Sequence, residues 1–155
     1  MILMLKRACL LCTLLACGLL IAAQPGRVRA YLIGTTVGEF TQKCDLRIDL
    51  TNDREILFVT HQLTLHVPYD KVNMLEYGQH ASHRIIAAIF IHPLLLHSIA
   101  RKHFVSVGYV DAHGHQQVVF MQVDKNDLRA ALAELEAKTG QRTEYTDDEA
   151  RSGRG

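Results

Sequence analysis

The sequence lacks an excess of charge of either sign: 17 Lys and Arg stand against 16 Asp and Glu, a net charge of +1. It contains no basic block. Without a clustered cationic footprint, nucleic acid is not an expected partner. Aromatic residues are scarce at 6%, and the four cysteines form no pair of CxxC motifs. That spacing excludes an ordinary zinc ribbon and a disulfide-dense scaffold. Disorder over most of the chain is also excluded, because 48% of the residues are hydrophobic and the net charge is small. The 155 residues bound one modest domain, with or without a targeting segment.

Motifs for chemistry are missing as well. There is no HExxH, no HxE…PCxxC and no GxSxG elbow, and Ser82, Ser98 and Ser106 have no recognisable nucleophile setting. No Gly-rich loop leads from a strand into a helix to cradle phosphate. Asp70, Glu76 and Asp111 are candidate carboxylates that sequence alone does not pair. The nine histidines are the remaining opening for a metal. His80 and His83 are three apart, His92 and His97 flank Pro93, and His113 and His115 share a turn with Asp111. A zinc site needs three or four converging ligands, so these read as solvated side chains, and His61 and His66 as solvent-facing. No enzyme, metal or cofactor is expected. The alternative is a small periplasmic metal-binding or hydrolytic protein that uses these histidines.

What is present begins with an address. Lys6 and Arg7 precede Ala8–Ala23, a stretch without charge, and Gln24-Pro25-Gly26 and Val28-Arg29-Ala30 follow. A basic start, an apolar run and small residues at a cleavage site describe a secretory signal. The run is shorter than the roughly 20 residues that span a bilayer core. Residues 1–30 are therefore expected to be a signal peptide. A lipoprotein box at Leu14-Leu15-Ala16-Cys17 and an uncleaved anchor stay open. Each reading exports the rest of the chain to the periplasm, the envelope or the medium. A cut after Ala30 leaves Cys44 as the one cysteine of the mature chain. It is expected to be a small buried hydrophobe rather than half of an intermolecular disulfide.

From Tyr31 to Val123 the pattern is mostly that of strands. Leu46–Leu50 alternates with period two, Thr51-Asn52-Asp53 is a turn, and Ile56–Val59 is a β-rich run. Leu63, Leu65 and Val67 alternate up to Pro68, and Val72–Tyr77 gives one more short strand. Phe104–Val110 and Gln117–Val123 flank the polar Asp111–His115 and predict a hairpin. The period then changes. Leu128, Ala131, Leu132 and Leu135 form one helical stripe, with Asp124 as N-cap, Glu134 and Lys138 as an i,i+4 pair, and Gly140 beyond the end. A helix over Lys125–Thr139 is expected, followed by a mobile tail over 141–155.

Ile85–Ala100 breaks the strand pattern. It is apolar on every side, interrupted by His92, Pro93, His97 and Ser98 and bracketed by Arg84 and Arg101-Lys102-His103. Burying each large apolar side chain is worth roughly 1.5–3 kcal/mol, so such a run is not left in water. Three fates compete: packing on its own sheet, dipping into a membrane surface, or docking on a partner.

Strand after strand followed by one amphipathic helix resembles the pleckstrin-homology-like superfold, in particular bacterial PH-like and GRAM-type domains. The likeness rests on Val67-Pro68-Tyr69-Asp70-Lys71-Val72 leading into Met74-Leu75-Glu76-Tyr77. It rests too on Arg101-Lys102-His103-Phe104 through Val107-Gly108-Tyr109, then Val118-Val119-Phe120 and the helix. It implies an α+β fold: a partly open antiparallel β-barrel, or two packed sheets, closed by a C-terminal amphipathic helix, with an apolar insertion at about 81–102. The PH-like domain would then cover residues 31–140. Such folds are mainly binding platforms for lipid headgroups, peptides or proteins. Lipid-binding members place several cations in the first strand pair, where this chain offers Lys43 and Arg47 beside Asp45 and Asp49, so phosphoinositide binding is not carried over. In this reading Asp70 serves a turn by accepting from backbone N–H groups. The expectation is a non-enzymatic binding or scaffold domain that touches a membrane surface or a protein partner. The binding residues would be Arg84, Ile89, Phe90, Leu95, Arg101 and Lys102.

Overall fold

The computed structural model describes residues 26–40, 43–79, 85, 87 and 102–147. Within them lie strands β1 (Arg27–Thr35), β2 (Cys44–Asp49), β3 (Glu55–Val59), β4 (Thr64–Pro68), β5 (Val72–Gly78), β6 (His103–Val110), β7 (Gln116–Val123) and β8 (Thr143–Tyr145), with helix α1 at Lys125–Thr139. They form one eight-stranded sheet in the order β4-β3-β2-β1-β7-β6-β5-β8. Every pairing is antiparallel except that of β8, which lies parallel to β5. The fold is α+β, and the sheet is not a closed barrel because β4 and β8 remain edges.

The connection from β4 to β5 dictates curvature. In a flat sheet, six spacings of about 4.8 Å would separate these strands by roughly 29 Å. Only the 3₁₀ turn Tyr69–Lys71 joins them, and a link of that length reaches about 14 Å at most. The sheet must therefore curl. The residues that alternate inward meet on its concave side: Val28 and Leu32 of β1, Leu46 and Ile48 of β2, Ile56 and Phe58 of β3, Val105 and Val107 of β6, and Val119 and Met121 of β7. Leu128, Ala131, Leu132 and Leu135 of α1 join the same core.

Helix α1 has the ends its sequence asks for. Asp124 accepts a hydrogen bond from the Asn126 amide at 2.9 Å, and Gly140 takes φ 72° while donating to the Glu136 carbonyl. The Glu136 carboxylate then accepts from the Thr143 amide at 2.8 Å and leads the chain into β8.

β1 begins at Arg27, so the border expected between residues 30 and 31 falls inside a strand whose Val28 is 6% exposed. Thr143–Tyr145, expected to be mobile tail, pair with Leu75–Tyr77. Among the described residues, no helix is long and apolar enough to cross a membrane.

Candidate functional site

The outer face of the sheet changes character along the strand order. Across β1 and β2 it is mostly polar. Arg27 stands opposite Asp49, Arg29 opposite Arg47, and Arg47 opposite Val59. The first row is internally neutral. Arg27 Nε donates to Asp49 Oδ2 at 3.0 Å, and Asp49 Oδ1 accepts from both the amide and the hydroxyl of Thr51. The Thr51 hydroxyl above all, with the Arg27 guanidinium adding, holds the Asp49 carboxyl below the usual carboxylate range against the opposing effect of burial.

The second row has no such balance. Arg29 and Arg47 are exposed and directly opposed. Among the described residues neither makes an ion pair or a side-chain hydrogen bond. They border a surface depression of about 630 Å³, whose walls also include Asp45, Val59, Thr60 and His61. Thr60 fixes that wall, because its hydroxyl donates to the Leu63 carbonyl and accepts from the Leu63 amide at 3.1 Å.

No protein-family model matches the chain, and no curated protein matches it.

Towards β7, β6 and β5 the outer face turns apolar. Phe104, Val118 and Phe120 form a second buried cluster with Ile85, flanked by Ile33 and Met74, and the Phe104 and Phe120 rings lie 5.2 Å apart. Ile85, the first residue of the apolar segment, is 1% exposed. Strands β6 and β7 are thus buried on both faces. Glu76, 4% exposed, stands opposite the buried Ser106 on this side. On the opposite, core-facing side Tyr77 Oη lies 2.7 Å from His103 Nδ1, stacked on that ring, with Tyr145 edge-on. Burial, with Asp147 and Tyr145 adding, pushes the Tyr77 hydroxyl above its ordinary pKa.

Of the residues expected to bind, Lys102 is exposed immediately before β6. Arg84, Ile89, Phe90, Leu95 and Arg101 lie outside the described residues, as do His80, His83, His92, His97, Ser82 and Ser98. The hairpin histidines stand on a turn built by Asp111. The amides of His113 and His115 donate to Asp111 Oδ1, and Gln117 Nε2 donates to Oδ2 at 2.9 Å. Led by the Gln117 contact, these bonds bring the Asp111 carboxyl down to about 2. Asp111 is the organiser of a turn. His66 is exposed and pairs with Glu55 at 3.0 Å. Among the described residues, no three His, Cys, Asp or Glu side chains converge as a metal site.

Asp70 differs from expectation. Among the described residues no backbone N–H donates to it, and it stands exposed, 3.8 Å from Lys71 Nζ. The turn is held by its neighbour, because the Tyr69 hydroxyl donates to the Asn52 carbonyl at 3.1 Å. Cys44 is half-buried beside the core, and burial, with Asp45 adding, raises its thiol pKa. Arg29, within the residues 1–30 expected to be a signal peptide, lies on β1. The alternation Arg27-Val28-Arg29-Ala30-Tyr31-Leu32 was the signal that places it on a strand.

Proposed function

We propose that this chain is an exported, non-enzymatic binding domain of the cell envelope, with a PH-like, partly open barrel as its scaffold. The strand order β4-β3-β2-β1-β7-β6-β5 followed by a core-packed C-terminal helix supports that architecture.

One observation carries the functional reading. β5 and β6 pair all the way to Gly78 and Phe104, where a turn of two to five residues would close the hairpin. Residues 79–102 stand there instead, and they hold the apolar segment with its cationic brackets. A connection of that length is surplus to the pairing it closes, and long connections of this kind carry recognition far more often than stability. Ile85 ties its beginning to the outer face. The proposed contact residues are Arg84, Ile89, Phe90, Leu95, Arg101 and Lys102, directed at an anionic membrane surface or a protein partner.

The test uses the full chain and a variant with Ile89, Phe90 and Leu95 replaced by serine, each sedimented with neutral and with anionic vesicles and each melted. Loss of anionic-vesicle binding with an unchanged melting temperature supports a membrane-facing segment. A collapse of the melting transition shows that these side chains belong to the protein's own packing, and ends this reading. A well-folded wild type that binds neither vesicle leaves a protein as the partner.

A further inference from the structure

The C-terminal segment Thr143–Asp147 returns to the sheet at the place where the long β5–β6 connection begins and ends. Strand β8 has three residues, pairs in parallel with Leu75–Tyr77, and leaves Glu144 and Tyr145 exposed. Parallel pairing is slightly weaker per residue than antiparallel pairing. No residue of the segment enters either buried apolar cluster. Core burial therefore gives no reason for the chain to come back to β5 after α1.

The contacts of the segment give one. At the first root of the connection, the Asp147 carboxylate accepts from the Gln79 amide at 2.6 Å, and the Thr146 amide donates to the Tyr77 carbonyl at 3.0 Å. Gln79 is the first residue beyond β5. At the second root stands His103, the first residue of β6. Tyr145 packs edge-on against Tyr77 with ring centroids 5.9 Å apart, and Tyr77 in turn stacks on His103 with its hydroxyl 2.7 Å from Nδ1. The start of the segment is fixed as well, because the Thr143 amide donates to the Glu136 carboxylate of α1 at 2.8 Å. The leucine stripe of α1 lies in the core. A continuous line of contacts thus runs from the core through α1 and the segment to both roots. Without it, the roots would be held by the terminal Gly78–Phe104 pair of the β5–β6 ladder, and ladder ends open readily.

We infer that Thr143–Asp147 is a strap that fixes both roots of the 79–102 connection and thereby sets how that connection is presented for binding. The bearing on recognition rests on the function proposed above; the grip on the roots does not. Asp147, Tyr145, Tyr77 and His103 are positioning residues, since they act on the ends of the connection.

The experiment compares the full chain with chains ending at 147 and at 142, and with Asp147→Ala, Asp147→Glu and Tyr145→Ala. Each is melted, followed by NMR for amide hydrogen exchange, and sedimented with vesicles of phosphatidylcholine alone and with phosphatidylglycerol added. The chain ending at 147 keeps the strap and is expected to match the full chain. The chain ending at 142 and Asp147→Ala are expected to raise exchange at Gly78 and Phe104 by about tenfold or more, the scale of a lost charge-assisted contact. Tyr145→Ala is expected to act in the same direction. The methyl signals of Ile85 are expected to shift with them, while exchange at Phe58 and Met121 in the core strands stays as in wild type. Asp147→Glu, which keeps the carboxylate, is expected to restore protection. Anionic-vesicle binding is expected to weaken by about threefold or more in the strap variants, the scale of ordering a loosened contact surface. The inference is overturned if exchange at Gly78 and Phe104 stays at the wild-type rate. It is also overturned if exchange rises equally at Phe58 and Met121 with a fall in melting temperature, which makes the segment a general prop of the fold. Faster exchange at the roots with undiminished binding to anionic vesicles overturns it too. A wild type that binds neither vesicle counts against the membrane reading above, and the exchange pattern then decides the strap by itself.

Discussion

Lys138 and Tyr69 converge on the same two acceptors, the backbone carbonyls of Leu50 and Asn52. The Lys138 ammonium donates to both carbonyls, the Tyr69 hydroxyl reaches both from the 3₁₀ turn, and the ammonium stands 5.5 Å from the Tyr69 ring centroid. Glu134 and Asp53 flank the ammonium at 3.6 and 3.8 Å. The last turn of α1, the β2–β3 connection and the β4–β5 turn are fastened at this one place.

Replacing Lys138 by methionine keeps the aliphatic stem and removes the charge. The change is expected to cost about 1–3 kcal/mol, the range for hydrogen bonds to a charged donor. Tyr69→Phe, which removes only the hydroxyl, is expected to cost about 1 kcal/mol. Because the two share acceptors, the double variant should depart from additivity. Urea unfolding of the four proteins checks this.

Acid should destabilise the domain through Asp111. Its folded-state carboxyl titrates at about 2 against a reference value of 3.8. A depressed value means that the unfolded chain takes up the proton first as pH falls. The contribution is fully present above 3.8 and disappears progressively as pH drops towards about 2. Asp49, whose value is also lowered, acts with the same sign. Asp111→Asn should flatten the fall in urea midpoint between pH 5 and pH 2, and the measurement is that series of midpoints.

The N-terminal boundary is open to a direct trial. A chain starting at residue 31 loses Arg27–Ala30, and with them the buried Val28, the Arg27–Asp49 pair and four registered positions against β2. Burial of one valine is worth about 1.5 kcal/mol or more, and each ladder bond adds roughly 1 kcal/mol. A chain starting at 26 should therefore unfold at clearly higher urea than one starting at 31. If the protein is processed during export, mass spectrometry of the mature chain should find its first residue before Arg27.

Gly108 is expected to resist replacement. A Cβ there would lie 2.9 Å from both Cβ and Cε of Met74, beside the register shift between Val72 and Met74. The far end of Met74 can swing away, but its Cβ moves only with the strand. Gly108→Ala should cost about 1–3 kcal/mol, the usual scale of overpacking, read as a shift in melting temperature.

The helix was fully legible in the sequence because its signals are local: the Asp124 cap, the Leu128–Leu135 stripe and Gly140 each act within a turn or two. The hairpin was legible for the same reason, since Asp111 gathers the amides of its own turn. Strand β1 was only half visible. Arg27 and Arg29, following an apolar run and Pro25, carry the marks of a leader's flank, and their pairing with β2 is set by residues some twenty positions away. β6 and β7 show little alternation because both faces are buried, so a continuous run such as Phe104–Tyr109 conceals which side chains point inward. β8 has three residues and no periodicity to read; it exists because β5 offers an edge. The Arg29–Arg47 pair depends on the register of β1 against β2, which a one-residue slip would have turned inside out.

The first described strand is also the one that joins the two halves of the sheet. Strands β2 to β4 pair with their sequence neighbours, and β6 with β5 and β7, so each half can form from short-range contacts as it is made. β1, in contrast, is held on one side by β2 and on the other by β7, with Ala30 opposite Val123. The seam cannot close until the chain has been synthesised past residue 123, and contacts of such long sequence separation form slowly. Until then the second edge of β1 stays open, so the two halves of the sheet meet last.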